Sequence, residues 1–256
     1  MDLFTGLRCF ADGFRLVTSR GMRKYVLAPA SLSLVLIVSG LAWTFGYVDD
    51  FGVYLNGFLP EWLSFLAWII TPLLYLFALL LGAWTFSLTA TIIASPFLGE
   101  LSKQVELSTS RTANEFIDTP WWRQILPALK REMRKLGYHL PRLALLLVLS
   151  IVPGINVVAP FAWLGFGAWM MAAQFCDYAN ENHGKPFTET LSQLRRYRMP
   201  ALGFGGCTTL AMAIPLLSFL VVPIAVAGGT LLWQEIHDSE HNPSKTNNRT
   251  SKLLRG

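Results

Sequence analysis

The sequence predicts an all-α integral membrane protein: an amphipathic N-terminal helix, two transmembrane helices, and two partly penetrating, re-entrant helical hairpins. Three observations carry this expectation. First, residues 25–48, 62–99, 143–176 and 199–234 contain no Asp, Glu, Lys or Arg, and together they exceed half of the 256-residue chain. Buried helices of soluble proteins rarely avoid charge for so long, whereas a spanning helix needs roughly 20 apolar residues. Second, Asp49, Asp50 and Glu61 make the 49–61 segment acidic, while every other polar segment is net positive. Third, the four runs hold 24, 38, 34 and 36 residues, so only the first has the length of one simple crossing. Composition agrees: 53% of residues are apolar and 14% charged, against about 25% charged in an ordinary globular domain. One membrane domain over 1–237, followed by a disordered polar tail over 238–256, accounts for the whole chain and leaves no room for a catalytic domain.

Residues 1–18 read as an interfacial helix. Leu3, Leu7, Phe10, Phe14 and Val17 recur as one helical stripe, with Arg8, Asp12 and Arg15 opposite. Such a helix lies in the membrane interface or packs on the protein's own flank, and the pattern serves either. The same charges are foreign to a cleavable signal core.

The first spanning helix covers 22–48 and is about 36 Å long over its charge-free part. The positive-inside rule makes 49–61 the outside loop and both termini cytoplasmic. The second crossing therefore covers 62–93, tilted or extended beyond the bilayer, and a turn is expected at Ser95-Pro96 because proline disfavours helix at the residue before it. Residues 97–142 form cytoplasmic helices split near Thr119-Pro120. In the second of these, Arg131, Arg134, Tyr138 and Arg142 fall on one helical face leading into the next run. That face is either a solvated basic surface or an anion vestibule.

The runs 143–176 and 199–234 must each return to the side they left. Pro153-Gly154-Ile155-Asn156 and Pro215 mark their tips, leaving arms too short for comfortable crossings. Backbone at such tips is tolerated inside protein or beside a water-filled cavity, which implies a conduit or a homo-oligomer covering the tips.

The sharpest local feature lies before the first run. Ser19 is placed to cap a helix, Gly21 lets the backbone approach a ligand, and Arg23 and Lys24 add charge to unpaired helix amides. Gly21, Met22, Arg23 and Lys24 thus form a candidate small-anion site, with Arg131, Arg134, Arg142 and Asn156 as a candidate pathway. A basic stop at the cytoplasmic edge is the plainer reading of the same residues. Gln174, Asp177, Asn180 and Asn182 either line a path or satisfy exposed backbone. His237 and His241 have helical i, i+4 spacing but lack a third ligand, so no metal and no cofactor is expected. Cys9, Cys176 and Cys207 fit no zinc or redox spacing and read as small buried hydrophobes. No phosphate loop or hydrolase motif occurs, which argues against ATP hydrolysis and against an enzyme. Net charge of +5 reports cytoplasmic loops rather than a nucleic-acid partner.

An ordered set of segments resembles a known family. Gly21-Met22-Arg23-Lys24-Tyr25-Val26 is similar to the segment that opens the first membrane helix of CysZ proteins, bacterial sulfate permeases. The likeness continues through Ala94-Ser95-Pro96-Phe97, Arg131 to Tyr138, Pro153-Gly154-Ile155-Asn156, Ala168-Trp169-Met170 to Asn182, Gly203-Phe204-Gly205 and Pro223 to Gly228. The resemblance implies sulfate uptake across the bacterial inner membrane by a multi-pass protein, feeding cysteine synthesis, with sulfate held at Gly21, Met22, Arg23 and Lys24. Lys24 stands where arginine is common, keeping the charge but losing the flat fork that grips two oxygens. Sulfate and membrane lipids are the expected partners. A scaffold binding anionic lipids, a lipid-modifying membrane enzyme and a channel for another oxyanion such as sulfite are the rival readings.

Overall fold

Among the described residues the chain forms helices joined by turns and short links, with no strand. A computed structural model describes residues 1–19, 22, 31, 35, 38–40, 42, 46, 64–109, 116, 121–152, 154 and 157–241. Seven helices follow in order: α1 (Leu3–Thr18), α2 (Ser64–Thr109), α3 (Trp121–Ile151), α4 (Ala159–Asn182), α5 (Phe187–Arg196), α6 (Arg198–Met212) and α7 (Pro215–His241). The chain divides into two compact units, one of Leu27–Ser95 and one of Met1–Val26 with Pro96–Gly256.

In the first unit, Ser31, Val35, Val38, Ser39, Gly40, Ala42 and Gly46 are helical. Its part of α2 turns Trp68, Leu73, Leu76 and Phe77 outward, with Trp68 84% exposed. Long apolar side chains are expensive to leave in water, so this surface suits a hydrocarbon solvent.

The expected turn at Ser95-Pro96 does not occur: α2 runs through Pro96 to Thr109. Proline costs the helix one backbone bond. Beyond it, however, Leu98, Leu101, Ser102, Val105 and Glu106 are all buried, and that packing carries the helix onward. The proline instead marks the boundary between the two units. The expected division near Thr119-Pro120 agrees with α3 starting at Trp121. From there α3 is unbroken to Ile151, so the basic segment and all of the first short arm (Leu143 to Val152) but its last residue belong to one helix.

In the second unit, α4, α6 and α7 pack on one another, and α1 lies against α6 and α7. The α1 contact runs along Gly6, Cys9, Gly13 and Val17. The most buried line is thus mainly small residues; of the Leu3, Leu7, Phe10, Phe14 and Val17 stripe read from the sequence, Val17 is buried, Leu7 and Phe10 are half-buried, and Leu3 and Phe14 are exposed. Glycine is needed here for close approach: a Cβ on Gly13 would come 2.6 Å from the Gly228 nitrogen and 2.7 Å from the Ile224 carbonyl oxygen. Phe4 and Phe14 remain 77% and 51% exposed. The helix thus packs on the protein's flank and still presents an apolar side and a charged side.

At the first hairpin, Gly154 adopts φ +87°, a left-handed conformation that glycine enters without a Cβ clash. At the second, Pro215 opens α7, where its missing N–H costs nothing. Among the described residues, Leu220–Glu240 is the one segment long and apolar enough to cross a membrane, and 67% of its window is buried in protein. α7 extends to His241, three residues past the expected tail boundary at Asp238; Ser239 Oγ donates to the Glu235 carbonyl. Residues 242–256 lie outside the described set.

Candidate functional site

Asp177 sits just beyond the third apolar run, fully buried on α4, and two cations of α3 converge on it. Arg131 grips it with its fork: Nε donates to Oδ2 at 2.6 Å and Nη2 to Oδ1 at 2.5 Å. Its remaining arm, Nη1, donates to the Lys185 carbonyl at 2.7 Å. One turn on, Lys135 Nζ lies 3.1 Å from Asp177 Oδ2 and 2.8 Å from Glu132 Oε1. Thr190 of α5 donates to Asp177 Oδ1 at 2.7 Å. Burial works against the charged carboxyl, but the Arg131 hydrogen bond and the Lys135 and Arg131 charges hold its pKa below the usual range. Burial likewise opposes the Lys135 ammonium, yet the charges of Asp177 and Glu132 keep its pKa raised. Glu181, 3.9 Å from Arg131 Nε, has its pKa pushed up by burial against those same cations.

The network continues toward α7. Asn180 Nδ2 donates to Thr190 Oγ1 and to Gln193 Oε1, both at 2.9 Å, while its Oδ1 accepts Trp233 Nε1 at 2.8 Å. Every polar atom of that amide is used, which is how a buried side chain of this kind avoids a desolvation penalty. The Trp233 indole stacks between His183 and His237 at centroid distances of 4.9 and 5.1 Å. His183 Nε2 in turn lies 2.9 and 3.1 Å from the two carboxylate oxygens of Glu106, which is fully buried. Further bonds join α2 to α7: the Ser102 and Thr230 hydroxyls lie 2.8 Å apart, Thr109 Oγ1 donates to Gln234 Oε1 at 2.8 Å, and Gln234 Nε2 donates to the Glu106 carbonyl at 3.5 Å.

Against this geometry the sequence-predicted residues separate. Met22 is buried, and its amide donates to the Ser19 carbonyl at 3.2 Å in a turn directly after α1. Ser19 closes α1, its amide bonding the Leu16 carbonyl. Gly21, Arg23, Lys24 and Asn156 lie outside the described residues. The expected common face of Arg131, Arg134 and Arg142 is divided. Arg131 is taken up by Asp177, whereas Arg134 and Arg142 are exposed. Arg142 lies 3.7 Å over the Tyr138 ring and also donates to the Tyr138 carbonyl.

The polar residues near the end of α4 act mainly as ties between helices. Asn182 satisfies half-buried backbone, donating to the Gly99 carbonyl at 3.1 Å, and Gln174 approaches Glu132 at 3.5 Å. Among the described residues no group of three metal-ligating side chains forms. Cys9 and Cys176 are free and buried, and burial pushes the Cys9 thiol up to about 12. Sequence reasoning missed Glu106, His183, Thr190 and Trp233. Each stands alone in a segment without a motif, and their side-chain partners lie up to 77 positions away along the chain.

The family model described as Sulfate transporter CysZ/Etoposide-induced protein 2.4 matches residues 9–223. The chain belongs to the CysZ family. Relatives named sulfate transporter CysZ are similar along nearly their whole length. One from Pseudomonas aeruginosa (strain LESB58) is 40% identical over 91% of this chain and 96% of its own. One from Pseudomonas fluorescens (strain Pf0-1) is 40% identical over 93% and 96%, and one from Pseudomonas syringae pv. tomato is 41% identical over 90% and 91%. CysZ is a transporter family and not a family of enzymes, and a transporter resides in a membrane. Together with Glu132, which pairs with Lys135, the Asp177–Arg131–Lys135 cluster is internally neutralised and ties α3, α4 and α5 together.

Proposed function

We propose that the chain takes up inorganic sulfate across the bacterial inner membrane for assimilation into cysteine. Uptake is channel-like or ion-coupled and does not involve ATP hydrolysis. The observation that carries the proposal is the near end-to-end similarity to relatives named sulfate transporter CysZ. In this reading, 22–48 and 62–93 cross the bilayer and the 143–176 and 199–234 hairpins penetrate part-way. The functional unit is a homo-oligomer embedded in lipid.

Sulfate is held at Gly21, Met22, Arg23 and Lys24. The turn joining Ser19 to buried Met22 supports that placement by anchoring the backbone immediately before the two bases. A doubly charged oxyanion gains most where backbone amides and cationic side chains converge. Arg134 and Arg142, both exposed on α3, guide it, with Asn156 at the hairpin tip. Arg131 stands behind them as a positioning group.

Radiolabelled sulfate uptake into proteoliposomes, with sulfite as competitor and with or without an imposed proton gradient, tests the whole reading. Saturable flux is expected, and its absence would leave the anionic-lipid scaffold in its place. For the site, Arg23→Ala should weaken sulfate binding by at least tenfold, since a charge-assisted contact contributes about 1.5–3 kcal/mol. Unchanged affinity in the purified variant would remove these residues from the site.

A further inference from the structure

Arg142 is the last charged residue before the 143–176 run, and its side chain is exposed yet held in place. Its guanidinium lies 3.7 Å over the ring of Tyr138, one turn back on α3, and donates through Nη1 to the Tyr138 carbonyl. A flat guanidinium stacks on an aromatic face as an ammonium does not. Pro141 gives the Gly137 carbonyl no amide partner, so helix bonding is already incomplete in this turn. Among the described residues the other donors of Arg142 meet no partner. Arg131, by contrast, spends all three of its nitrogens on Asp177 and the Lys185 carbonyl.

The ring beneath Arg142 is itself fixed. Tyr138 Oη accepts the Trp169 indole N–H at 3.1 Å, which ties the ring to α4. Phe187 of α5 meets it edge-on at a centroid distance of 5.9 Å, and His139 does so at 4.9 Å. Burial, helped by the charges of Arg142 and Lys135, holds the His139 pKa below the usual imidazole range, and both of its ring nitrogens are buried without a hydrogen-bond partner. Arg142 is therefore the cation of this aromatic group. An arginine ordered before its ligand arrives spares the cost of ordering it on binding. Its free donors can then take two oxygens of an oxyanion at once.

We propose that Tyr138 is a positioning residue: together with Trp169 it holds the Arg142 guanidinium at the mouth of the first hairpin as a preset contact for sulfate. A lipid phosphate is an oxyanion of the same chemistry, and the lipid composition of the vesicles separates the two sources. The inference rests on the sulfate-uptake reading above and on Arg142 as part of the route.

Sulfate flux into phosphatidylcholine proteoliposomes, read as half-saturating concentration and maximal rate, tests it on the full-length protein. Arg142→Ala should raise the half-saturating concentration about tenfold or more and leave the maximal rate nearly unchanged, the mark of a lost binding contact. Tyr138→Leu should raise it roughly three- to tenfold. The double variant should be no worse than Arg142→Ala, because Tyr138 acts through Arg142. Tyr138→Trp keeps a ring face and should stay close to the parent. Arg142→Lys keeps the charge at an exposed position but loses the flat stack, and should behave nearly as Arg142→Ala. Additive losses in the double variant would give Tyr138 a structural role only and overturn the inference. So would a Tyr138→Leu protein whose maximal rate falls at unchanged half-saturation, or parent-like flux from Arg142→Lys. A shift seen only when phosphatidylglycerol is added would assign Arg142 to lipid headgroups and overturn it as well. Saturable parent flux with an unaffected Arg142→Ala overturns the inference and spares sulfate uptake, whereas no saturable flux from the parent removes both.

Discussion

At the scale of single residues, Asp177 has the largest predicted consequence. Replacing it by alanine would leave Arg131 and Lys135 buried, with Glu132, Glu181 and the Lys185 carbonyl as their remaining partners. Breaking a buried pair from one side costs about 3–5 kcal/mol, so Asp177→Ala should lower the unfolding temperature in detergent by many degrees. Asp177→Asn keeps the shape and should also destabilise. The pH dependence follows from the direction of each shift. Asp177 has a depressed native pKa, so its contribution is complete above the ordinary carboxylate value of about 3.9 and is lost as pH falls through the native one. Lys135 has a raised native pKa, so its contribution is complete below about 10.4 and is lost only as pH rises past that. The stability gap between the parent and Asp177→Asn should therefore be flat from about pH 5 to 9 and narrow only outside that range, in stronger acid as Asp177 protonates and in strong base as Lys135 loses its charge; a gap that changes near neutrality would contradict the charge assignment. None of this was legible beforehand. Asp177 and Asn180 were singled out as polar residues, but Thr190, Gln193 and Trp233 approach them only in three dimensions.

Helices are the scale at which pattern and packing disagree most usefully. The periodic residues of α1 identified a helix correctly, yet only Val17 of them is fully buried, beside Gly6, Cys9 and Gly13, because two backbones gain most contact where side chains are smallest. Gly13→Leu should push α1 off Gly228 and destabilise the protein by roughly 1–3 kcal/mol or more, read as a lower unfolding temperature and faster proteolysis within residues 1–18. Gly206 has no neighbour within 4 Å of a built Cβ. There Gly206→Ala should be neutral or stabilise by up to about 1 kcal/mol, since alanine is the better helix former. Equal effects at the two glycines would refute close approach as the reason for Gly13. α2 teaches the converse: Ser95-Pro96 reads as a stop, but burial of Leu101, Val105 and Glu106 beyond it outweighs a local propensity.

For the whole molecule, the proposed topology makes a labelling prediction. Val53→Cys should react with a membrane-impermeant maleimide in intact spheroplasts, and Ser244→Cys only after lysis; the reverse pattern would invert the orientation. The sequence by itself determined that the protein is an all-helical membrane-class chain with basic segments between long charge-free runs. Such runs record the solvent each helix must meet, and that information is local. The turn residues Gly154 and Pro215 were equally legible, since backbone conformation is a property of one residue and its neighbours. Only the tertiary structure decided which polar residues are already spoken for. A guanidinium that would bind an anion when free, as at Arg131, becomes a brace once a buried carboxylate is set opposite it. That pairing joins positions 46 residues apart and leaves no trace in spacing or composition.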